Sequence, residues 1–149
     1  MLSGGAMSFD LMVFDADVAP KSRQEFFNWY EEQAEWDEPH SYDDPQVAAA
    51  KLRHWFTEMY VTFFPLNGPL SSQELPEDES SLADYCIGKN VIYVAFSWSR
   101  AEEALDLAFK YAVKHGVGFF YVSSDGSEVY YPTPDGGMVL LHSDRDGDA

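Results

Sequence analysis

Apolar positions in this chain recur at two spacings, and the switches between them mark out its elements. Residues 8–14, Ser-Phe-Asp-Leu-Met-Val-Phe, are a short apolar run bounded by Asp15 and Asp17, which predicts a buried first strand. Pro20 can open a helix after it, because a proline near the first helical position gives up only an amide that has no partner there. Over 21–36 the residues Phe26, Trp29, Tyr30 and Ala34 fall at three- and four-residue spacing, the core-facing stripe of that helix. Asp44-Pro45 predicts a second helix start, with the carboxylate placed to accept first-turn amides. The stripe behind it is the clearest in the chain: Leu52, Trp55, Phe56, Met59, Tyr60 and Phe63. Pro65 and the Asn67-Gly68-Pro69 turn stop it.

Residues 66–83 carry proline, serine and acids without periodicity and read as a long surface loop. Two strands follow, near 84–88 and 91–97, joined at Gly88-Lys89-Asn90 as a hairpin; Val91 to Phe96 has too few polar interruptions for an edge. Ser99 with Glu102 has the spacing of a capping box, Ala101, Leu105, Ala108 and Ala112 line one face of a third helix, and Gly116 ends it as a left-handed cap. Strands are expected at 117–122 and 128–131 about a Ser124-Asp125-Gly126 turn. Met138 to Leu141 fits either a last strand or a docked extension, and the polar tail from 143 onward is expected to fray.

With the second helix set aside as an insertion, the order is βαββαβ, the split βαβ arrangement of ferredoxin-like sandwiches. The expected fold class is therefore α+β: an antiparallel sheet with helices on one face, the first strand and the 91–97 strand at its middle, an inserted helix and an added C-terminal hairpin strand. Residues 8–132 are expected to form one domain. Residues 1–7 read as an upstream extension or remnant before a natural start at Met7, and 133–149 as a partly disordered extension.

Composition supports one real core. At 149 residues folding can remove roughly 68–70% of the unfolded chain's surface from water, and 46% of the residues are hydrophobic. Charge changes the picture more. Against 26 Asp and Glu there are 9 Lys and Arg, a formal net charge of -17. Such a surface repels phosphate backbones and anionic lipid, so direct nucleic-acid and membrane binding are disfavoured and a basic protein partner is favoured. Cys86 is the only cysteine, which rules out an internal disulfide and fits a reducing, cytoplasmic location. No apolar run approaches the ~20 residues of a membrane span, and no signal-peptide pattern opens the chain.

Catalytic signatures are missing. The sequence holds no phosphate-binding Gly-x-x-x-x-Gly-Lys loop, no Gly-x-Ser-x-Gly elbow and no His-Glu-x-x-His pair. Gly116-Val117-Gly118 precedes a strand instead of opening a helix, so it reads as a helix cap. Glu38-Pro39-His40-Ser41-Tyr42-Asp43-Asp44 is the densest polar constellation; it can be a divalent-metal or acid/base site, but its spacing matches no ligand set and a solvated loop with a helix cap explains it. Cys86, without a nearby base, reads as a small buried hydrophobe. No enzyme activity, cofactor or metal is expected.

What remains is charge geography. From Glu25 to Asp44 lie eight acids, Glu25, Glu31, Glu32, Glu35, Asp37, Glu38, Asp43 and Asp44, with no Lys or Arg between them. Like charges at helical spacing cost a few tenths of a kcal/mol per pair, so folding does not account for the clustering. A second group, Glu74, Glu77, Asp78, Glu79 and Asp84, follows in the long loop and its exit. With Trp36 and Tyr42 as aromatic anchors, Glu31, Glu35, Asp37, Glu38, Asp43 and Asp44 form the expected partner-binding set.

Phe9-Asp10-Leu11-Met12-Val13-Phe14, Tyr42-Asp43-Asp44-Pro45, Asn67-Gly68-Pro69, Ile87-Gly88-Lys89 with Val91-Ile92-Tyr93, and His115-Gly116-Val117-Gly118-Phe119-Phe120 together resemble a family of small acidic bacterial proteins that look like immunity proteins of polymorphic and type VI secretion toxins. The resemblance covers about residues 8–131. It implies a cytosolic inhibitor that blocks the basic active-site cleft of a cognate toxin domain, with no catalytic motif. The rival expectation is a small ferredoxin-like enzyme or ligand-binding protein with a pocket between sheet and helices, using His40, Tyr42 or Trp98.

Overall fold

Leu11, Met12, Val13 and Phe14 are all buried to within 1% of complete, and a strand apolar on both faces has to be covered on both. That requirement sets the architecture. The computed structural model describes residues 8–36, 38, 42, 44–65, 79–124 and 126–143. Within them run β1 (Ser8–Phe14), α1 (Arg23–Gln33), α2 (Ala50–Met59), β2 (Phe64–Pro65), β3 (Leu82–Ile87), β4 (Val91–Ser97), α3 (Ala101–His115), β5 (Gly118–Tyr121), β6 (Glu128–Pro132) and β7 (Met138–His142). The seven strands form one mixed sheet in the order β2-β3-β4-β1-β5-β6-β7, so the fold is mixed α+β with β1 at its centre. Every pairing is antiparallel except the two-residue contact of β2 with β3.

The pleat sorts side chains into two cores. Phe9, Leu11 and Val13 join Ile92, Val94 and Phe96 of β4 beneath α2 and α3. Met12 and Phe14 point the other way, to Phe26 of α1, Val91, Phe120 and Tyr131. The expectation of helices on one face is therefore not met: α2 and α3 share a face, and α1 covers the other. The helix that stands apart is α1, not α2. The α2 stripe is confirmed in detail, with Leu52, Trp55, Phe56, Met59 and Phe63 no more than 1% exposed. These large side chains meet small ones, Ala104, Ala108 and Ala112 of α3, and the buried Trp55 Nε1 donates to the Ala108 carbonyl at 3.0 Å.

Several boundaries differ from expectation for local reasons. Ser22, not Pro20, heads α1: its hydroxyl accepts from Glu25 N at 3.2 Å, the N-cap bond, and donates to Glu25 Oε1 at 2.9 Å. At α3 the expected box does not form. Ser97 accepts from Ser99 N and the two hydroxyls meet at 2.9 Å, so a 3-10 turn over Trp98–Arg100 comes first and α3 starts without a side-chain cap. Asp44 caps a 3-10 turn, Pro45–Val47, and α2 begins three residues later. The end of the expected 66–83 loop is a 3-10 turn and the start of β3, while its 66–78 part lies outside the described residues. Met138 to His142 pair with β6, so this segment is a strand. Gly116 caps α3 at φ +67, as expected.

Candidate functional site

The α1 side of the sheet changes character along β1. Phe14 and Met12 lie under α1, whereas Asp10 and Ser8, two and four residues back on the same face, do not. The register carries the change across the sheet: Asp10 pairs with Ala95 and Ala95 with Asp84, while Met12 pairs with Tyr93 and Tyr93 with Cys86. One end of this face is a packed core beneath α1, and the other is a shelf bearing Ser8, Asp10, Asp84, Ala95 and Ser97.

Asp10 organises the shelf. Its Oδ2 accepts from the Tyr93 hydroxyl at 2.5 Å and its Oδ1 from Ser8 Oγ at 2.7 Å, while its amide donates to Ser123 Oγ at 2.9 Å. Burial, then the hydrogen bond and charge of Asp10, then the nearby Tyr30 raise the Tyr93 hydroxyl far above the ordinary tyrosine range. Tyr30 of α1 is raised too, by burial first and then by the charges of Asp10 and Glu31. Both tyrosines therefore stay protonated at neutral pH, and Tyr93 acts as a donor to the Asp10 carboxylate. Burial, with Asp84 adding to it, pushes the Cys86 thiol up to about 11, which leaves it un-ionised at neutral pH and poorly suited to nucleophilic attack.

The expected partner-binding set divides. Glu31 and Glu35 are exposed on α1 and its last turn, with Glu25 and Glu32 exposed beside them; among the described residues no Lys or Arg lies within ion-pair distance of Glu31, Glu32 or Glu35. Glu38 and Tyr42, both half-buried, are also tied into the fold. Glu38 Oε1 accepts from Lys89 N at 3.1 Å, its amide donates to the Tyr42 hydroxyl at 2.5 Å, and the Tyr42 carbonyl accepts from Ile87 N at 2.7 Å, which ties this segment to the β3–β4 turn. Asp44 Oδ1 accepts from Gln46 N at 2.9 Å. Trp36 sits at φ +52, in the left-handed region that bulky residues rarely enter, and its ring meets Tyr42 edge-on at 5.2 Å. Asp37, Asp43 and His40 lie outside the described residues, as do Glu74, Glu77 and Asp78.

The shelf residues Asp10, Tyr30 and Tyr93 were not among the expected site residues. The signal for them was present: Ser8 and Asp10 break an otherwise apolar strand on one face only, which marks where its cover ends.

Of the residues expected for a pocket, His40, Tyr42 or Trp98, His40 lies outside the described residues and the other two stand apart. Tyr42 lies beside the start of β4 and Trp98 just past its end, about 20 Å of strand apart. Trp98 is 50% exposed and stacks edge-on against Phe9. A different cleft, of about 330 Å³, opens on the α2–α3 side, between α3 (Leu105, Asp106, Phe109, Lys110) and the β5–β6 ribbon (Phe119, Tyr121, Glu128, Tyr130). Among the described residues no three His, Cys, Asp or Glu side chains are placed to hold a metal, and no helix is long and apolar enough to cross a membrane.

With this geometry in place the molecule is an α+β protein bearing an acidic, tyrosine-lined surface on one side. No family model, curated protein or solved structure matches the chain.

Proposed function

We propose that the protein is a cytoplasmic immunity protein that binds a cognate toxin domain and occludes its basic active-site cleft through the α1 side. The observation that carries this reading is the run of exposed carboxylates on α1 and the turn after it, Glu25, Glu31, Glu32 and Glu35, which continues onto the shelf with Asp10 and Asp84. Clefts that act on nucleic acid are cationic, and a patch of this sign steers towards them while repelling nucleic acid itself. Tyr30, Tyr93 and Trp36 supply the aromatic anchors that interfaces favour. Contacts are assigned first to Glu31, Glu35 and Trp36 with the shelf; Glu38, Tyr42 and Asp44 also make hydrogen bonds within the fold. The class of partner comes from the sequence resemblance, and its chemistry from the charge.

The central strands β3-β4-β1-β5 are read as a ferredoxin-like split βαβ unit. Supporting this are their antiparallel order and the placement of α2 and α3 on one face, with α1, β2, β6 and β7 as additions.

The test is co-expression with a secreted toxin encoded beside this chain, followed by calorimetric titration of the purified pair. Reversing Glu31 and Glu35 to lysine is expected to weaken binding by about tenfold, near 1.4 kcal/mol. Unchanged affinity removes the electrostatic reading; a neighbourhood without a toxin, or a toxin that is not bound, removes the class.

A second reading, a ligand-binding protein, is favoured by the cleft between α3 and the β5–β6 ribbon, whose size and largely apolar walls suit a small molecule.

A further inference from the structure

The walls of that cleft select a ligand chemistry. Phe109 of α3 stands nearly perpendicular to Tyr130 of β6, with 5.3 Å between ring centroids, and Tyr121 lines the adjoining wall. Aromatic faces carry negative charge density and attract cations, most strongly where water is excluded. Carboxylates stand on both sides, Asp106 on the helix and Glu128 on the ribbon. Glu128 Oε1 accepts from the Tyr130 hydroxyl at 2.8 Å, which holds the carboxylate beside a ring of the same cleft. The lining holds one cation, Lys110, whose Nζ lies 5.7 Å from the ring centroid of its neighbour Tyr111.

We propose that this cleft binds a small organic cation of the quaternary-ammonium or guanidinium type that carries an apolar ring or stem. The charged head lies between Asp106 and Glu128, and the apolar part packs on Phe109, Tyr121 and Tyr130. Two carboxylates disfavour an anionic ligand, and the three aromatic rings favour a cation that carries an apolar part over a bare metal ion. The volume of about 330 Å³ sits at the small end of ligand pockets, roughly 300–1,000 Å³, which suits a compact molecule. The inference rests on the ligand-binding reading and is independent of toxin neutralisation, since α1 lies on the opposite face of the sheet.

The experiment titrates benzyltrimethylammonium into the full chain at physiological salt, where diffuse attraction to an acidic surface is screened. Calorimetry and aromatic NMR shifts report binding. Saturable one-site binding is expected, with shifts at Phe109, Tyr121 and Tyr130. Asp106→Asn and Glu128→Gln should each weaken it about tenfold, and Glu31→Gln on the other side should leave it unchanged. Phenylacetate, the same ring with the opposite charge, should not bind. Comparable binding of phenylacetate or neutral benzyl alcohol would overturn the cationic assignment and leave the ligand-binding reading standing. No saturable binding of any of the three would overturn both. Equal weakening by Glu31→Gln would reduce the effect to general charge attraction and overturn the assignment.

Discussion

The two sides of the sheet are built on different rules. On the α2–α3 side large residues meet small ones, Leu52, Trp55, Phe56 and Met59 against Ala104, Ala108 and Ala112. The charges there nearly balance, five cations (Lys51, Arg53, Arg100, Lys110, Lys114) against four acids (Glu58, Glu102, Glu103, Asp106). Some pair directly: Glu58 Oε2 meets Lys114 Nζ at 2.6 Å and His115 Nε2 at 2.8 Å, and Glu103 meets Arg100. On the α1 side a single residue of the helix, Phe26, is fully buried, and from Gln24 to Trp36 the exposed acids Glu25, Glu31, Glu32 and Glu35 stand without Lys or Arg among them. One layer is arranged for stability. The charge of the other is not explained by folding, and this is what makes it the candidate for recognition.

Breaking each layer at its anchor gives the largest expected effects. Trp55→Ala removes a fully buried ring together with its hydrogen bond to the Ala108 carbonyl, so a loss of about 4 kcal/mol is expected in urea denaturation. Phe26→Ala removes ring contacts to Phe14, Phe120 and Tyr131 and should cost about 3 kcal/mol, with amides of α1 exchanging ahead of those of α3. If α1 and α3 amides open together in that variant, the two layers are one cooperative unit and the contrast is wrong. Gly118 tests the seam at the sheet centre. A Cβ there would come within 2.1 Å of the Phe14 ring, so Gly118→Ala must displace Phe14 from its place against α1, at about 1–3 kcal/mol, read by thermal or urea unfolding.

How much of this was legible follows from the residues concerned. The α2 stripe and the Gly116 cap were readable because each is local: five apolar side chains at helical spacing, and one residue at positive φ. Which face of the sheet a helix covers is not local, and α1's stripe is compatible with either. The clue lay in β1, where Leu11 to Phe14 is continuous and not alternating, the mark of a strand covered twice. The expected Ser99–Glu102 box does not form, because Ser97 engages Ser99, whereas Ser22 caps α1 without having been expected to. The acidic set was legible as composition but not as a site. Nothing in the spacing distinguishes Glu38 and Asp44, which hold backbone amides, from Glu31 and Glu35, which face solvent.

Acid should reach the α2–α3 side through Glu58. Its hydrogen bonds to Lys114 first and His115 next hold the carboxyl below the usual 4.5, and the same contact raises Lys114 above its ordinary value. A carboxyl depressed by folding contributes stability that is complete above its unfolded value and is lost as pH falls through the folded one. Glu58→Gln should therefore be less stable than the parent at pH 7 and equal to it once both are below the depressed value. A gap that persists at the lowest pH would show that packing, not charge, joins α2 to α3 at this point.

The smallest expected change in stability is also the one that best separates folding from function. Glu31 of α1 and Glu35 in the turn just past it carry like charges four residues apart, and Glu35→Lys replaces that repulsion with an attraction while placing a cation at the C-terminal end of the helix. The variant should be more stable by about 0.5 kcal/mol in urea denaturation. For the α2–α3 layer, a substitution that stabilises the protein would be expected to serve the molecule. On α1 the same gain should come with weaker toxin binding, because the repulsion is kept for what it presents to a cationic partner. If Glu35→Lys stabilises the chain and binds the toxin as tightly as before, the acids of α1 serve solubility, and the recognition surface has to be sought on the shelf around Asp10 and Tyr93.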